Sequence, residues 1–135
     1  MIDHAALIIK NNEKILFIKR SKYKRVLPNL WGFPSGTKEE NEDINETAVR
    51  EAYEELDLKI KVEKLITTKD VQEFNVRLHF LLCSIISGNP IIKDEKEISE
   101  MEWLTFQEFF NKYQDHEIGN GVSFLRKNPS LWVNI

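Results

Sequence analysis

The run GTKEENEDINETAVREAYEELDL, Gly36 to Leu58, decides how the rest of the chain is read. Asp43 and Glu46 have the spacing of a helix N-cap box, and the helix of about three turns that they open should end near Leu56-Asp57. At about 100° per residue, with Glu51 set to zero, Glu55 falls at about 40° and Glu54 at about 300°, so three carboxylates share one side of the helix. Ile44, Ala48, Val49, Ala52 and Leu56 fall between about 20° and 160° by the same arithmetic, which makes a buried stripe bordering the acids. Like charges so close repel one another, and partial burial adds a desolvation cost. A divalent cation removes both penalties. Carboxylate oxygens are hard ligands that suit Mg²⁺ first and Mn²⁺ second; zinc would recruit His or Cys, and His4, His79 and His116 show no paired helical spacing. The plainer alternative is a solvated acidic face on which Arg50 pairs with Glu54 at i, i+4.

The full string, Gly36-(x5)-Glu42-(x7)-Arg50-Glu51-Ala52-x-Glu54-Glu55-x-Asp57-Leu58, resembles the Nudix box, G-x5-E-x7-R-E-U-x-E-E-x-G-U with U a bulky aliphatic residue. Every charged position of that pattern is met. Two departures stand out: Ala52 is small where an aliphatic is usual, and Asp57 replaces the second glycine. Alanine still fits a core-facing helix position. Asp57 would have to take the left-handed conformation of a helix C-cap, which Asp tolerates better than most residues.

The resemblance implies an α/β Nudix fold, an α/β/α sandwich around a mixed sheet carrying the loop-helix-loop, and Mg²⁺-dependent hydrolysis of a nucleoside diphosphate linked to a moiety X. By position it makes Glu51, Glu54 and Glu55 metal-facing, has Arg50 orient a carboxylate through an ion pair, and has Glu42 and Gly36 structure the loop. Ser35, often glycine in the family, would offer its backbone carbonyl to the metal. The MutT-like branch also uses an acid from a later loop, and Glu97, six residues before Trp103, fits that place best among Asp94, Glu95 and Glu100. The base that takes a proton from the attacking water is then Glu51 or Glu97. Lys19, Arg20 and Lys22 adjoin the second strand, where Arg20 matches the phosphate-binding arginine of MutT-like proteins. Asn120 resembles in position an asparagine that reads the base, and a helix N-cap explains it as well.

Around this segment, Ala5–Ile9 and Ile15–Ile18 flank Lys10-Asn11-Asn12-Glu13-Lys14 and read as a β-hairpin. Lys19 to Trp31 has no period and reads as a basic loop. Lys59 to Ile86 is rich in β-branched and aromatic residues and reads as strands, with a last short strand at Trp103-Leu104. Thr105 and Glu108 form another capping-box pair, opening a helix through Phe109, Phe110 and Tyr113, and Asn120–Lys127 reads as a short helix stopped by Asn128-Pro129. Trp31, Phe33, Phe74 and Trp103 are expected in the core rather than as stacking platforms, and Cys83 as a buried small side chain.

The whole composition bounds the partners. The 135 residues suit one domain, residues 1–135. Nineteen basic and 22 acidic residues leave a net charge of -3, which does not favour a nucleic-acid duplex or an RNA-decapping track. One cysteine excludes a disulfide scaffold and, placed in a strand, argues against the cysteine-dependent isoprenoid diphosphate isomerases. No apolar run approaches the roughly 18 residues of a membrane span, and a cytoplasmic protein acting on a small nucleotide, as monomer or homodimer, is expected. The leading reading is a nucleoside triphosphate pyrophosphohydrolase releasing NMP and pyrophosphate. ADP-ribose, a nucleotide sugar or a dinucleoside polyphosphate are alternative substrates, and a Nudix module that binds nucleotides without cutting them is the non-enzymatic alternative.

Overall fold

The apolar runs pair into one seven-stranded mixed sheet in the computed structural model, which describes residues 1–135. Its strands are β1 (Ile2–Asn11), β2 (Lys14–Arg20), β3 (Trp31–Gly32), β4 (Ser35–Thr37), β5 (Lys59–Val71), β6 (Val76–Ser87) and β7 (Ile98–Leu104), in the order β3-β2-β1-β6-β5, with β4 joined to β1 and β7 to β2. β1 and β6 run parallel and the other pairs antiparallel. Central strands of this kind must be apolar on both faces. In β1, Ala5, Leu7 and Ile9 enter one core cluster while Ala6 and Ile8 enter the other. Helix α1 (Ile44–Leu56) covers the first face through Ala48, Ala52 and Leu56; α2 (Phe106–Lys112) and α3 (Asn120–Arg126) cover the second through Phe109, Val122 and Leu125. The Phe17 and Phe109 rings stack there, 3.9 Å between centroids.

The hairpin β1–β2 stays paired for only two residue pairs beyond its turn, Asn11↔Lys14 and Lys10↔Ile15. From there the strands part. β4 fills the side of β1, with Thr37 opposite His4 and Ser35 opposite Ala6, while β3 and β7 take the two sides of β2. The divergence leaves a cleft between His4 and Arg20, and α1 lies over one end of it.

Local chemistry sets the ends of α1. The Asp43 side chain accepts from the Glu46 amide at 2.8 Å and the Glu46 side chain accepts from the Asp43 amide at 2.9 Å. At the other end Asp57 adopts φ 57, ψ 34 and donates its N–H to the Tyr53 carbonyl, while Leu58 donates to Ala52. The box residue Ala52 is fully buried, its small side chain meeting the core directly.

Several expectations are revised. The stretch read as a basic loop contributes the end of β2 and the start of β3, and the acid-rich lead to Trp103 is β7 from Ile98 onward. Strands of two or three residues are too short to show a period, and the exposed Ser99 and Glu100 mask the inward Ile98, Met101 and Trp103. Asn120 is not an N-cap: Gly119 takes that place and Asn120 is the first helical residue. Phe74 is outside the core, 38% exposed, in a one-turn helix (Gln72–Phe74) at the tip of β5–β6. Cys83 is buried as expected, and burial pushes its thiol up to about 12.

Relief of the left-handed position is directly measurable. Asp57→Gly should gain about 0.5–1 kcal/mol and raise Tm by about 2–4 °C, and Asp57→Ala should lower it, as read by thermal unfolding.

Candidate functional site

One turn apart on α1, Glu51 and Glu55 face a cavity of about 370 Å³ at the parting of β1 and β2. Burial raises the Glu55 carboxyl to about 8, helped by the negative charge of Glu51, and burial also raises Glu51, against the pull of Arg50. Both carboxyls are thus disfavoured as anions in this cavity. Glu54 lies on the solvent side, 55% exposed, and lines no part of this cavity.

Arg50 joins the helix to the preceding loop. Its Nε and Nη2 donate to the two Glu42 oxygens at 3.0 and 2.7 Å, its Nη1 donates to Glu51 at 2.9 Å and Glu54 at 3.2 Å, and Nη2 also reaches the Thr37 carbonyl at 3.0 Å. Glu42 accepts besides from the Thr47 hydroxyl at 2.8 Å and the Glu39 amide at 2.9 Å. The Arg50 guanidinium holds Glu42 down to about 2, and the surrounding carboxylates keep Arg50 firmly charged. Gly36 lies directly under Glu51: a Cβ there would stand 2.0 Å from Glu51 Cδ. The glycine is required by that close approach.

Across the cavity Glu97, just before β7, accepts from the Lys24 ammonium. Ser35 also lines the space. No three acidic, His or Cys side chains stand converged in a ready coordination set, since Arg50 engages Glu51 and Lys24 engages Glu97. The donor chemistry nevertheless fits a hard divalent cation. Glu51, Glu55 and Glu97 supply carboxylate oxygens around one space, and the upward shift of Glu51 and Glu55 through burial marks where positive charge is needed.

A second cavity, of about 430 Å³, adjoins the first and shares His4, Arg20 and Ser35 with it. Its walls are apolar: Leu27, Trp31, Phe33, Phe74, Leu78 and Val122. Trp31 and Phe33 are at once core residues and cavity wall. Asn120 lines it too, its Nδ2 donating to Glu73 at 3.2 Å. Arg20 donates through Nε to the Val26 and Leu27 carbonyls, both at 3.1 Å, and through Nη2 to Val26 at 2.7 Å. Lys22 lines neither of these cavities; its ammonium lies 5.2 Å from the Tyr23 ring centroid. Lys24 and His4 are the residues that the sequence did not single out. Nothing separates Lys24 from its basic neighbours in sequence, whereas His4, a polar residue three before the apolar Leu7 on a central strand, carried a faint signal.

The NUDIX domain profile matches residues 2–124. The chain belongs to the Nudix family. Similar proteins include Nudix hydrolase 5 of Arabidopsis thaliana, 31% identical over 131 residues that make 94% of this chain and 43% of the relative. The 8-oxo-dGTP diphosphatase of Buchnera aphidicola is 29% identical over 105 residues, 78% of each chain. Among solved structures, a NUDIX hydrolase from Nitrosomonas europaea superposes with a TM-score of 0.76 at 18% identity, over 96% of this chain and 88% of that one. The Nudix chain spans about two fifths of the Arabidopsis relatives' length, 42% and 43%. Nudix hydrolases generally use divalent metal ions, in keeping with the carboxylates gathered here.

Two measurements follow from this geometry. Gly36→Ala should push Glu51 off its contact with Arg50, lowering Tm and weakening divalent-cation binding by calorimetry at least about tenfold. Because Glu42 has a folded pKa of about 2 against an ordinary 4.5, its stabilisation is present above pH 4.5 and is lost as pH falls toward 2. Glu42→Gln should therefore flatten the fall of Tm across that window.

Proposed function

We propose that this Nudix chain is a divalent-cation-dependent pyrophosphohydrolase of nucleoside triphosphates, releasing NMP and pyrophosphate. The observation that carries the reading is the pairing of two adjoining cavities of opposite chemistry, one apolar and aromatic, the other lined by carboxylates and cations, with His4, Arg20 and Ser35 common to both. An apolar space of about 430 Å³ suits one nucleoside. The neighbouring space then receives the phosphates.

In this reading Glu51 and Glu55 are the cation ligands within the cavity, Glu97 and the Ser35 backbone flank them, and Glu54 completes the acidic face from the solvent side. The bound cation, Mg²⁺ or Mn²⁺, supplies positive charge against the phosphate oxygens that otherwise repel a nucleophile. Arg50 fixes the Glu51 carboxylate and ties it to the Thr37 carbonyl, so the acid is oriented before substrate arrives. Arg20 and Lys24 present cations to the outer phosphates. Water adds to phosphorus at the α–β anhydride, the bridging P–O bond breaks toward pyrophosphate, and the water's proton passes to Glu51 or Glu97. Asn120 and the aromatic walls hold the base.

The test is a product assay across nucleoside triphosphates, ADP-ribose, nucleotide sugars and dinucleoside polyphosphates with added Mg²⁺. NMP and pyrophosphate from triphosphates are expected; preferential turnover of ADP-ribose or a sugar conjugate would replace the substrate class, and tight binding without turnover under any metal would sink the enzymatic reading. The glutamine variant of the proton acceptor, Glu51 or Glu97, should lose about 10²–10⁴-fold in kcat even at a saturating concentration of the cation, and that persistence, which a lost cation ligand alone would not give, assigns the base. Glu54→Gln should raise the Mg²⁺ concentration needed for half-maximal rate.

A further inference from the structure

Of the three residues common to the two cavities, Arg20 has donors already engaged and Ser35 is assigned above to the cation through its backbone. The Arg20 guanidinium is held by the Val26 and Leu27 carbonyls and carries a full charge suited to phosphate. Ser35 sits in the β1–β4 ladder opposite Ala6. His4 differs. Its Nε2 stands 3.1 Å from the Thr37 hydroxyl, its cross-strand neighbour, and no other hydrogen bond reaches the ring. Nδ1 is therefore without a protein partner, on a half-buried side chain at the junction of an apolar and a charged space. Burial and the nearby Arg20 charge both lower the imidazole pKa, which keeps the ring neutral at physiological pH.

A nucleotide with its base in the apolar cavity and its phosphates among the carboxylates has one part left to place at the junction, the pentose. A neutral imidazole nitrogen is matched to a sugar hydroxyl, which can donate to it or accept from it, so either tautomer serves. We propose that His4 is a specificity-determining residue whose free Nδ1 hydrogen-bonds a pentose hydroxyl, so that the site reads the sugar as well as the base and phosphates. The proposal rests on the nucleotide reading above and adds a determinant to it.

A sugar lacking that hydroxyl leaves Nδ1 unpaired, a loss of about tenfold in affinity for one neutral hydrogen bond. The experiment measures dissociation constants, by calorimetry, for the ribo, 2′-deoxy and 3′-deoxy forms of the nucleoside 5′-monophosphate whose base binds tightest. Monophosphates have no anhydride to cleave, so the readout does not depend on turnover. Native protein should bind one of the two deoxy forms about tenfold more weakly than the ribo form. His4→Phe, which fills the ring volume without nitrogens, should level the three, and His4→Asn, whose amide reaches the place of Nδ1, should restore the difference. Should His4→Phe fail to fold, His4→Gln, with its amide nearer the place of Nε2, carries the same expectation of levelling. A purely structural role would weaken all three ligands together. An unchanged pattern in the variants, or a uniform loss, overturns the proposal. If native protein hydrolyses triphosphates and the sugar pattern ignores His4, the enzymatic reading stands and this inference falls. If the pattern follows His4 with no hydrolysis, the inference stands and the enzymatic reading falls; absence of any nucleotide binding overturns both.

Discussion

The site is organised by one guanidinium. Arg50 supplies hydrogen bonds to Glu42, Glu51, Glu54 and the Thr37 carbonyl, joining the helix, the loop before it and β4. A bidentate Arg–carboxylate contact fixes direction as well as distance, which a lysine at the same place would not do. With a single positive charge against several acids, the cluster remains negative, and burial together with that excess raises the pKa of the Glu51–Glu55 pair, deeper in the cavity. The same arrangement that steadies the polypeptide leaves an electrostatic demand for a cation, so structure and chemistry are two consequences of one charge imbalance.

The sheet gives that imbalance its setting. Because β1 and β2 part soon after their turn, residues at the far ends of adjoining strands, His4 and Arg20, face each other across a cleft instead of a ladder. β4 is inserted beside β1 and brings Gly36 beneath Glu51, where only a missing side chain permits the carboxylate's position. On the opposite side α3 and the β5–β6 tip wall the apolar space with Val122 and Phe74. The two cavities thus arise from one topological event, and their adjacency follows from it.

What could be read from the sequence was what is local or periodic. The caps of α1, the buried stripe of Ala48, Ala52 and Leu56, the left-handed Asp57 and the common side of Glu51 and Glu55 follow from spacings of three and four residues and have their counterparts in the fold, whereas Val49, at the 160° edge of the expected stripe, is 40% exposed. The two-residue β3 and three-residue β4 were invisible because their hydrogen bonds are made with strands distant in sequence. Phe74 was misplaced because alternation continues through it although the backbone turns there, with Asn75 at φ 53. The absence of Lys22 from both cavities, and the presence of Lys24, depend on the path of a loop held by Arg20, and no pattern in a run of basic residues encodes that path.

That loop bears on the phosphate-binding role proposed for Arg20. Leu27 adopts φ 50 and Asn29 φ 61, and a left-handed leucine is costly enough to need an external restraint. Arg20 provides it through Nε and one Nη2 hydrogen, directed at the Val26 and Leu27 carbonyls. A guanidinium carries five N–H groups, so about three remain for a ligand. Holding the loop and contacting a phosphate are therefore compatible in one side chain: the carbonyls fix the orientation of the fork on one edge and leave the other edge for the cavity. A lysine, with a single freely rotating ammonium, could keep the charge but could not divide its donors between two fixed directions.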